Sequence, residues 1–264
     1  MTASIGTAAR RAPTGVILVL LLGACWEVSV RSGALKADAW PALSMVGAVF
    51  LDRTGAGGLW GELAHSLWNM AKGFALGSLL GVLAGVLLGA SRRLFRMLEP
   101  TLELLRVIPL PALIPPALLA LGGGPSMKVA IVALATFWPV FINTLHGVRS
   151  VEHTLVEMAQ TFGTPRARFA FFVMLPAALP LAAAGLRIAL AAALITTVVI
   201  EMIAGSAGIG LYIMTMQNAA RMPEVYAAIA LLSLIGYSIN WALLALEHRL
   251  LPPRRVGDRA IATM

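Results

Sequence analysis

Apolar residues in this chain gather in long blocks separated by short polar breaks. Uncharged runs fill Gly73 to Ala90, Val107 to Met127, Val129 to Val148 and Val225 to Leu246, each near the ~20 residues that cross a bilayer as a helix. Two further runs tolerate charge: one near Thr14 to Ser29 ends around Glu27, and one from Leu179 to Ala204 contains Arg187 and Glu201. The pattern predicts one all-α domain over residues 1–264, with six membrane helices at about 14–29, 68–90, 104–124, 129–148, 179–204 and 225–246. The first run also reads as a signal peptide, with Arg10 and Arg11 as its basic start. The five runs that follow favour a retained helix.

Composition agrees, with 59% hydrophobic and only 12% charged residues, far from a soluble domain. Trp40 to Phe50 is apolar but too short to cross, and Asp52 to Gly58 reads as a turn, so this region is expected to lie on the outer surface as short helices.

Residues 150–176 break the apolar pattern. Ser150 is suited to cap a helix, Glu152 to its first turn and Gly163 to its end, which predicts a helix of about thirteen residues. Val151, Leu155, Met158, Ala159 and Phe162 share one arc of it, so it is amphipathic. Thr164-Pro165 then restarts a second helix carrying Arg166 and Arg168 toward Leu175-Pro176. Two short helices joined at a glycine form a device that can fill a partner's groove.

Inside the apolar runs, Gly73, Gly77, Gly81, Gly85 and Gly89 recur every four residues and lie on one stripe. Such a stripe suits close helix packing, the stronger reading, or the wall of a solute path. Pro109, Pro111, Pro115 and Pro116 must bend or break the third run, which hydrocarbon tolerates only where the segment faces protein or water. Arg187 and Glu201, fourteen residues apart, stand ~21 Å apart on one helix and must each find another partner. For Arg187 the candidates are helix carbonyls, Glu99, Glu103 or an anionic solute; Glu201 is expected to anchor the glycine-rich link at Gly205 to Gly210. Lys72 and Arg106, at span ends, are expected to snorkel.

With the N-terminus inside, twelve basic residues flank the spans on the cytoplasmic side (Arg10, Arg11, Arg92, Arg93, Arg96, Arg149, Arg166, Arg168, Arg249, Arg254, Arg255, Arg259) against five outside (Arg31, Lys36, Arg53, Lys128, Arg221). Both termini and residues 150–176 are thereby predicted to be cytoplasmic, and the net charge of +8 needs no nucleic-acid partner. Cys25 is the only cysteine, and His65, His146, His153 and His248 show no ligand spacing, so no metal site is expected. No HExxH, P-loop or GxSxG motif occurs, so neither ATP binding nor catalysis is expected of this chain.

The island resembles the cytoplasmic loop of permease subunits of bacterial binding-protein-dependent ABC importers: Glu-Ala-Ala, three residues, Gly, nine residues, Ile, one residue, Leu-Pro. This chain has Glu157-Met158-Ala159, Gly163, Val173, Leu175 and Pro176 in that register, with Met158 for the first alanine and Val173 for the isoleucine. The stretch Arg106 to Pro115 is similar to Arg-Pro-x-Pro-x-x-Ala-x-x-Pro of the sulfonate, nitrate and taurine permeases, with Val107 in place of the first proline. The resemblance implies the importer permease fold with cytoplasmic coupling helices in a bacterial inner membrane. It implies a second permease copy, two cytosolic ATPase subunits that hold the ATP, and an extracytoplasmic solute-binding protein; no cofactor belongs to this chain. Glu157, Met158, Ala159, Gly163, Leu175 and Pro176 would couple to the ATPase. Pro109, Pro111, Pro115 and Arg187 would border the path of a small anion such as an alkanesulfonate, taurine or nitrate. The residues alone leave another class open, an ion-gradient-driven transporter or channel using Arg187 and Glu201.

Overall fold

The computed structural model describes residues 5–36, 38–51, 56–205 and 207–250. Of the turn expected at 52–58, residues 56–58 belong instead to the first turn of a helix starting at Ala56, and residues 52–55 lie outside the described residues, as do the basic residues Arg53, Arg254, Arg255 and Arg259. Eleven α-helices account for most of the described chain: α1 (Ile5–Arg31), α2 (Leu43–Leu51), α3 (Ala56–Ala90), α4 (Arg92–Arg106), α5 (Ile114–Leu121), α6 (Pro125–Arg149), α7 (His153–Thr161), α8 (Arg166–Phe169), α9 (Leu175–Ala204), α10 (Ile209–Asn218) and α11 (Met222–Leu250). A 3-10 turn at Leu110–Leu113 precedes α5, and a π-helical segment at Ala170–Met174 joins α8 to α9.

Among the described residues, four helical stretches are long and apolar enough to cross a membrane: Gly58–Ala90, Pro125–Arg149, Phe172–Ala204 and Met222–Glu247. A fifth crossing arises if α4 and the segment Leu110–Leu121, which meet at 84°, count as one. The run expected to cross first lies in α1, where Val16 to Leu22 present exposed apolar side chains. The break expected within the run at 104–124 is a sharp corner at Val107 to Pro109. Pro109 and Pro111 lack the N–H that would continue α4, and Pro109 holds extended backbone ahead of the 3-10 turn (φ −68°, ψ 116°).

The core is the triad α3, α6 and α9. Half of the apolar stretch of α6 is buried, against 6% for α11, which sits at the edge. The glycine stripe is the reason α3 and α6 pack so closely. A Cβ built on Gly73 would stand 2.6 Å from Val132 Cβ, on Gly85 2.7 Å from Thr144 Cβ, and on Gly89 2.7 Å from Val148 Cβ; on Gly77 it would run into Thr136 Oγ1 and the Ala133 carbonyl. Gly147 and Gly185 do the same for α6 against α9, with Ala178 Cα and Asn143 Cβ each at 2.8 Å. The stripe is thus an interface within the subunit.

Gly77→Ala is therefore expected to destabilise the chain by about 1–3 kcal/mol through overpacking. Gly61→Ala, on the same helix with nothing within 4 Å of the new methyl, gains roughly 1 kcal/mol of helix propensity instead. Thermal midpoints of the two detergent-solubilised variants check the pair.

At the other end of α3, Leu59 and Leu63 are buried with Ile209, Tyr212, Ile213 and Val225, so α3 extends past the bundle to carry α10 and the start of α11. Trp26, at the end of α1, meets Trp40 and Tyr226 edge-on, each with ring centroids 5.6 Å apart. The expected short surface element is α2, whose Val46 and Val49 pack on Ala227.

Candidate functional site

The polar island folds as a helical hook beneath α3 and α6. Ser150 does not cap the island's helix: it is the C-cap of α6, its N–H donating to the His146 carbonyl (2.9 Å) and its Oγ to the Gly147 carbonyl (2.8 Å). α7 accordingly starts at His153 and runs nine residues instead of about thirteen. Its end is as expected. Gly163 adopts φ +63°, and the Thr164 N–H donates to the Ala159 carbonyl at 2.8 Å, the glycine-terminated turn that satisfies the last carbonyls of a helix.

The apolar arc of α7 divides between two neighbours. Val156 and Ala159 face inward across a cavity of about 680 Å³, bounded by Gly89, Val148, Phe169 and Met174 of the same chain. Leu155, Met158 and Phe162 face outward, 44%, 51% and 78% exposed. Their spacing of three and four residues makes a stripe on a short helix that no described element of this subunit covers. Glu157 lies exposed beside them.

From Arg166 the backbone is helical without a break into α9. Leu175 N–H donates to the Ala170 carbonyl, five residues back, and this wide turn carries the chain past Pro176, which has no N–H to give. Leu175 itself lines a crevice with Leu179 and Leu243, while Pro176 stands in the first turn of α9. Of the six residues predicted for coupling, Glu157 and Met158 present themselves on α7, Ala159 faces inward, Gly163 turns the hook, and Leu175 and Pro176 seat it on the bundle. The motif spells one piece, a short exposed helix joined through a glycine turn to a spanning helix.

The proline corner borders a cavity of about 400 Å³, walled by Ile108, Leu110, Pro111 and Ile114 on one side and by residues of α6 and α9 on the other. Pro111 lines it; Pro109 caps the 3-10 turn, and Pro115 sits in the first turn of α5. Arg187 is not among its lining residues. That side chain pairs with Glu247 near the end of α11, a partner not foreseen beside Glu99 and Glu103, and borders a smaller cavity of about 200 Å³ with Asn240.

Glu201 anchors the link between α9 and α10, as its position suggested. Its carboxylate accepts from Ser66 Oγ (2.7 Å) and from the Gly210 N–H (3.1 Å), while Glu62 accepts the Gly208 N–H. Gly208 holds φ +115°, and a Cβ there would collide with the Glu201 carboxylate, so glycine is required on both counts. The sequence reading missed the cation of this cluster. Lys128, expected on the outer surface, is 1% exposed, lies 3.4 Å from Glu201 Oε1 and donates to the Ala207 carbonyl. The available signal was its place on the fourth residue of α6, at the same end of the bundle as Glu201.

The model of the family described as binding-protein-dependent transport system inner membrane component matches residues 77–252. The chain is 38% identical over 224 residues to the putative aliphatic sulfonates transport permease protein of Escherichia coli strain K12, covering 85% of this chain and 83% of that one. It is 34% identical over 203 residues to the taurine transport system permease protein of the same strain (77% and 72% covered), and 35% over 235 residues to the riboflavin transport system permease protein of Chloroflexus aurantiacus (89% and 87% covered). These relatives are permeases of ABC importers, which removes the ion-gradient-driven alternative. Membership implies ATPase subunits and a solute-binding protein as partners, in an inner membrane crossed several times. The chain belongs to the family of inner-membrane permease subunits of binding-protein-dependent ABC importers.

Proposed function

We propose that two copies of this permease form the pore of an importer for a small organic anion, an alkanesulfonate or taurine before nitrate, with α7 of each copy seated in a cytosolic ATPase. The exposed stripe Leu155, Met158 and Phe162 on the hook carries this reading, because it is apolar, lies along and at the end of α7, and joins α9 through the Gly163 turn and continuous helix from Arg166. Nucleotide-driven closure of the ATPases moves α7. The glycine turn and the π-helical segment pass that movement to α9, and the bundle alternates between inward-open and outward-open states. The subunit performs no chemistry itself: ATP is held by the partner, and no cofactor serves this chain.

In this arrangement α1, α3, the α4–α5 corner, α6, α9 and α11 make six crossings, with both termini and α7 in the cytoplasm. The 400 Å³ cavity at the proline corner is a portion of the solute route, bordered by Pro111 with Pro109 and Pro115 shaping its wall. Arg187, paired with Glu247, serves to hold α11 to α9 and stands off the route.

Gentle purification of the tagged chain from its native membrane, with stoichiometric identification by mass, tests the assignment. The expected companions are an ATPase and a solute-binding protein, and the latter's ligand identifies the cargo class. The chain recovered alone across several mild detergents, with transport intact in membranes lacking any ATPase, contradicts it.

A further inference from the structure

Two cavities meet at the proline corner and share two side chains. The first, about 400 Å³, is almost wholly apolar, with Ile131, Ile195 and Val199 in its wall and Thr196 beside them. The second, about 250 Å³, lies between α4 and α6 and is charged, with Glu99, Glu103, His146 and Arg149 around it. Arg106 and Trp138 line both. The indole is held by its neighbours, edge-on to Phe137 at 5.1 Å and to Phe141 at 6.2 Å. The guanidinium is more loosely held. Its ion pair is to Glu103 at 3.6 Å, with the two side chains 51% and 65% exposed, and such a pair is weak and easily exchanged for another anion.

We infer that Arg106 and Trp138 form a selective neck that passes organic anions with a short apolar tail. This rests on the reading that the first cavity lies on the solute route. Among the described residues Arg106 is the only charged side chain lining that cavity, so an anionic head gains a cation there that offers paired N–H donors in a fixed plane. The isoleucine and valine wall takes the tail, and the flat indole face takes its first carbons. A bare inorganic anion gains only the head contact, and a cation, whatever it gains from the indole face, is repelled by the guanidinium. On the far side the charges are mixed, Glu99 and Glu103 against Arg149, so the anion finds no second unopposed cation to hold it.

Cys25 is the only cysteine of the chain, so Cys25→Ser with Thr196→Cys places one reporter thiol in the first cavity. The test uses the whole transporter, with its ATPase and binding protein, in lipid nanodiscs. Methanethiosulfonate reagents bearing an ethylsulfonate or an ethyltrimethylammonium group are compared, each rate divided by its rate with free 2-mercaptoethanol. The expected normalised rate is on the order of tenfold higher for the anionic reagent. Arg106→Gln brings the ratio to near one, Arg106→Lys keeps most of it, and hexanesulfonate slows labelling more than nitrate at equal concentration. The ratio in the chain retaining Arg106 is informative even if both Arg106 variants fail to fold. Equal normalised rates with Arg106 present, or equal protection by hexanesulfonate and nitrate, overturn the neck while modification still blocks uptake and leaves the route standing. No labelling by either reagent, with uptake undiminished after treatment, overturns the route and the neck together.

Discussion

Glu157→Lys and Gly163→Pro abolish ATP-driven uptake while the chain still inserts, folds and reaches the membrane in normal amount. The two act on different parts of the hook. Gly163 ends α7 at φ +63°, a conformation that proline, fixed near −65°, cannot adopt. The turn that ties Thr164 to Ala159 is lost and the docking stripe is re-aimed. Gly163→Ala is milder, because its new methyl meets nothing within 4 Å and the left-handed backbone costs roughly 1–2 kcal/mol. Glu157 stands exposed beside Met158 on the outward side of α7. If α7 seats in the ATPase as proposed, reversing this charge creates a mismatch of several kcal/mol that lowers ATPase association by about 100-fold or more. Gly163→Pro costs more stability than the alanine variant, so uptake and ATPase retention are compared per folded permease in the membrane. The measurements are uptake in membrane vesicles and the amount of ATPase retained per permease on affinity purification. Normal uptake by either variant at normal abundance overturns the docking assignment.

The second large effect lies at the opposite end, where Lys128 and Glu201 are buried together. Removing one member of such a pair costs about 3–5 kcal/mol, because it leaves the other charge buried without compensation. The two single substitutions are not equivalent. Lys128→Met leaves a carboxylate that still accepts from Ser66 Oγ and the Gly210 N–H. Glu201→Gln leaves an ammonium whose remaining partner is the Ala207 carbonyl, and it also disturbs the seat of Gly208 and Gly210. Glu201→Gln is therefore the more damaging, and the double variant is less damaging than the sum of the two. A double-mutant cycle on the thermal midpoint of the solubilised protein reads the coupling. Strict additivity means that the ion pair does not operate.

The membrane architecture was legible because lipid forces it. A chain with blocks of some twenty apolar residues has few alternatives to a helical bundle, and the glycine stripe at Gly73 to Gly89 announced a close helix contact through spacing, though not that α6 makes it. The hook was legible in its turn, because Gly163 has a single structural meaning at a helix end. Its start was misplaced, since Ser150 caps equally well as the last residue of a long helix, and α6 had enough apolar length to claim it. What pattern reading lacks is the third dimension of charge. Lys128 counted as a topology signal because it separates two apolar runs, and its partner is 73 residues away. Glu247 was overlooked for Arg187 because it closes the last apolar run, 60 residues on. Arg106 read as a snorkelling residue because the corner that turns it toward Trp138 exists only once α4 and α5 meet at 84°.

The central claim, that the outward stripe of α7 is the seat of an ATPase, is tested most directly by a photo-reactive phenylalanine analogue at Phe162, which is 78% exposed at the tip of the hook. On illumination of native membranes the account predicts a single dominant cross-link to an ATPase subunit, with a yield that changes between nucleotide-free and ATP-trapped states. Illumination that yields only lipid adducts or permease self-links, with the same pattern in both nucleotide states and transport intact, contradicts it.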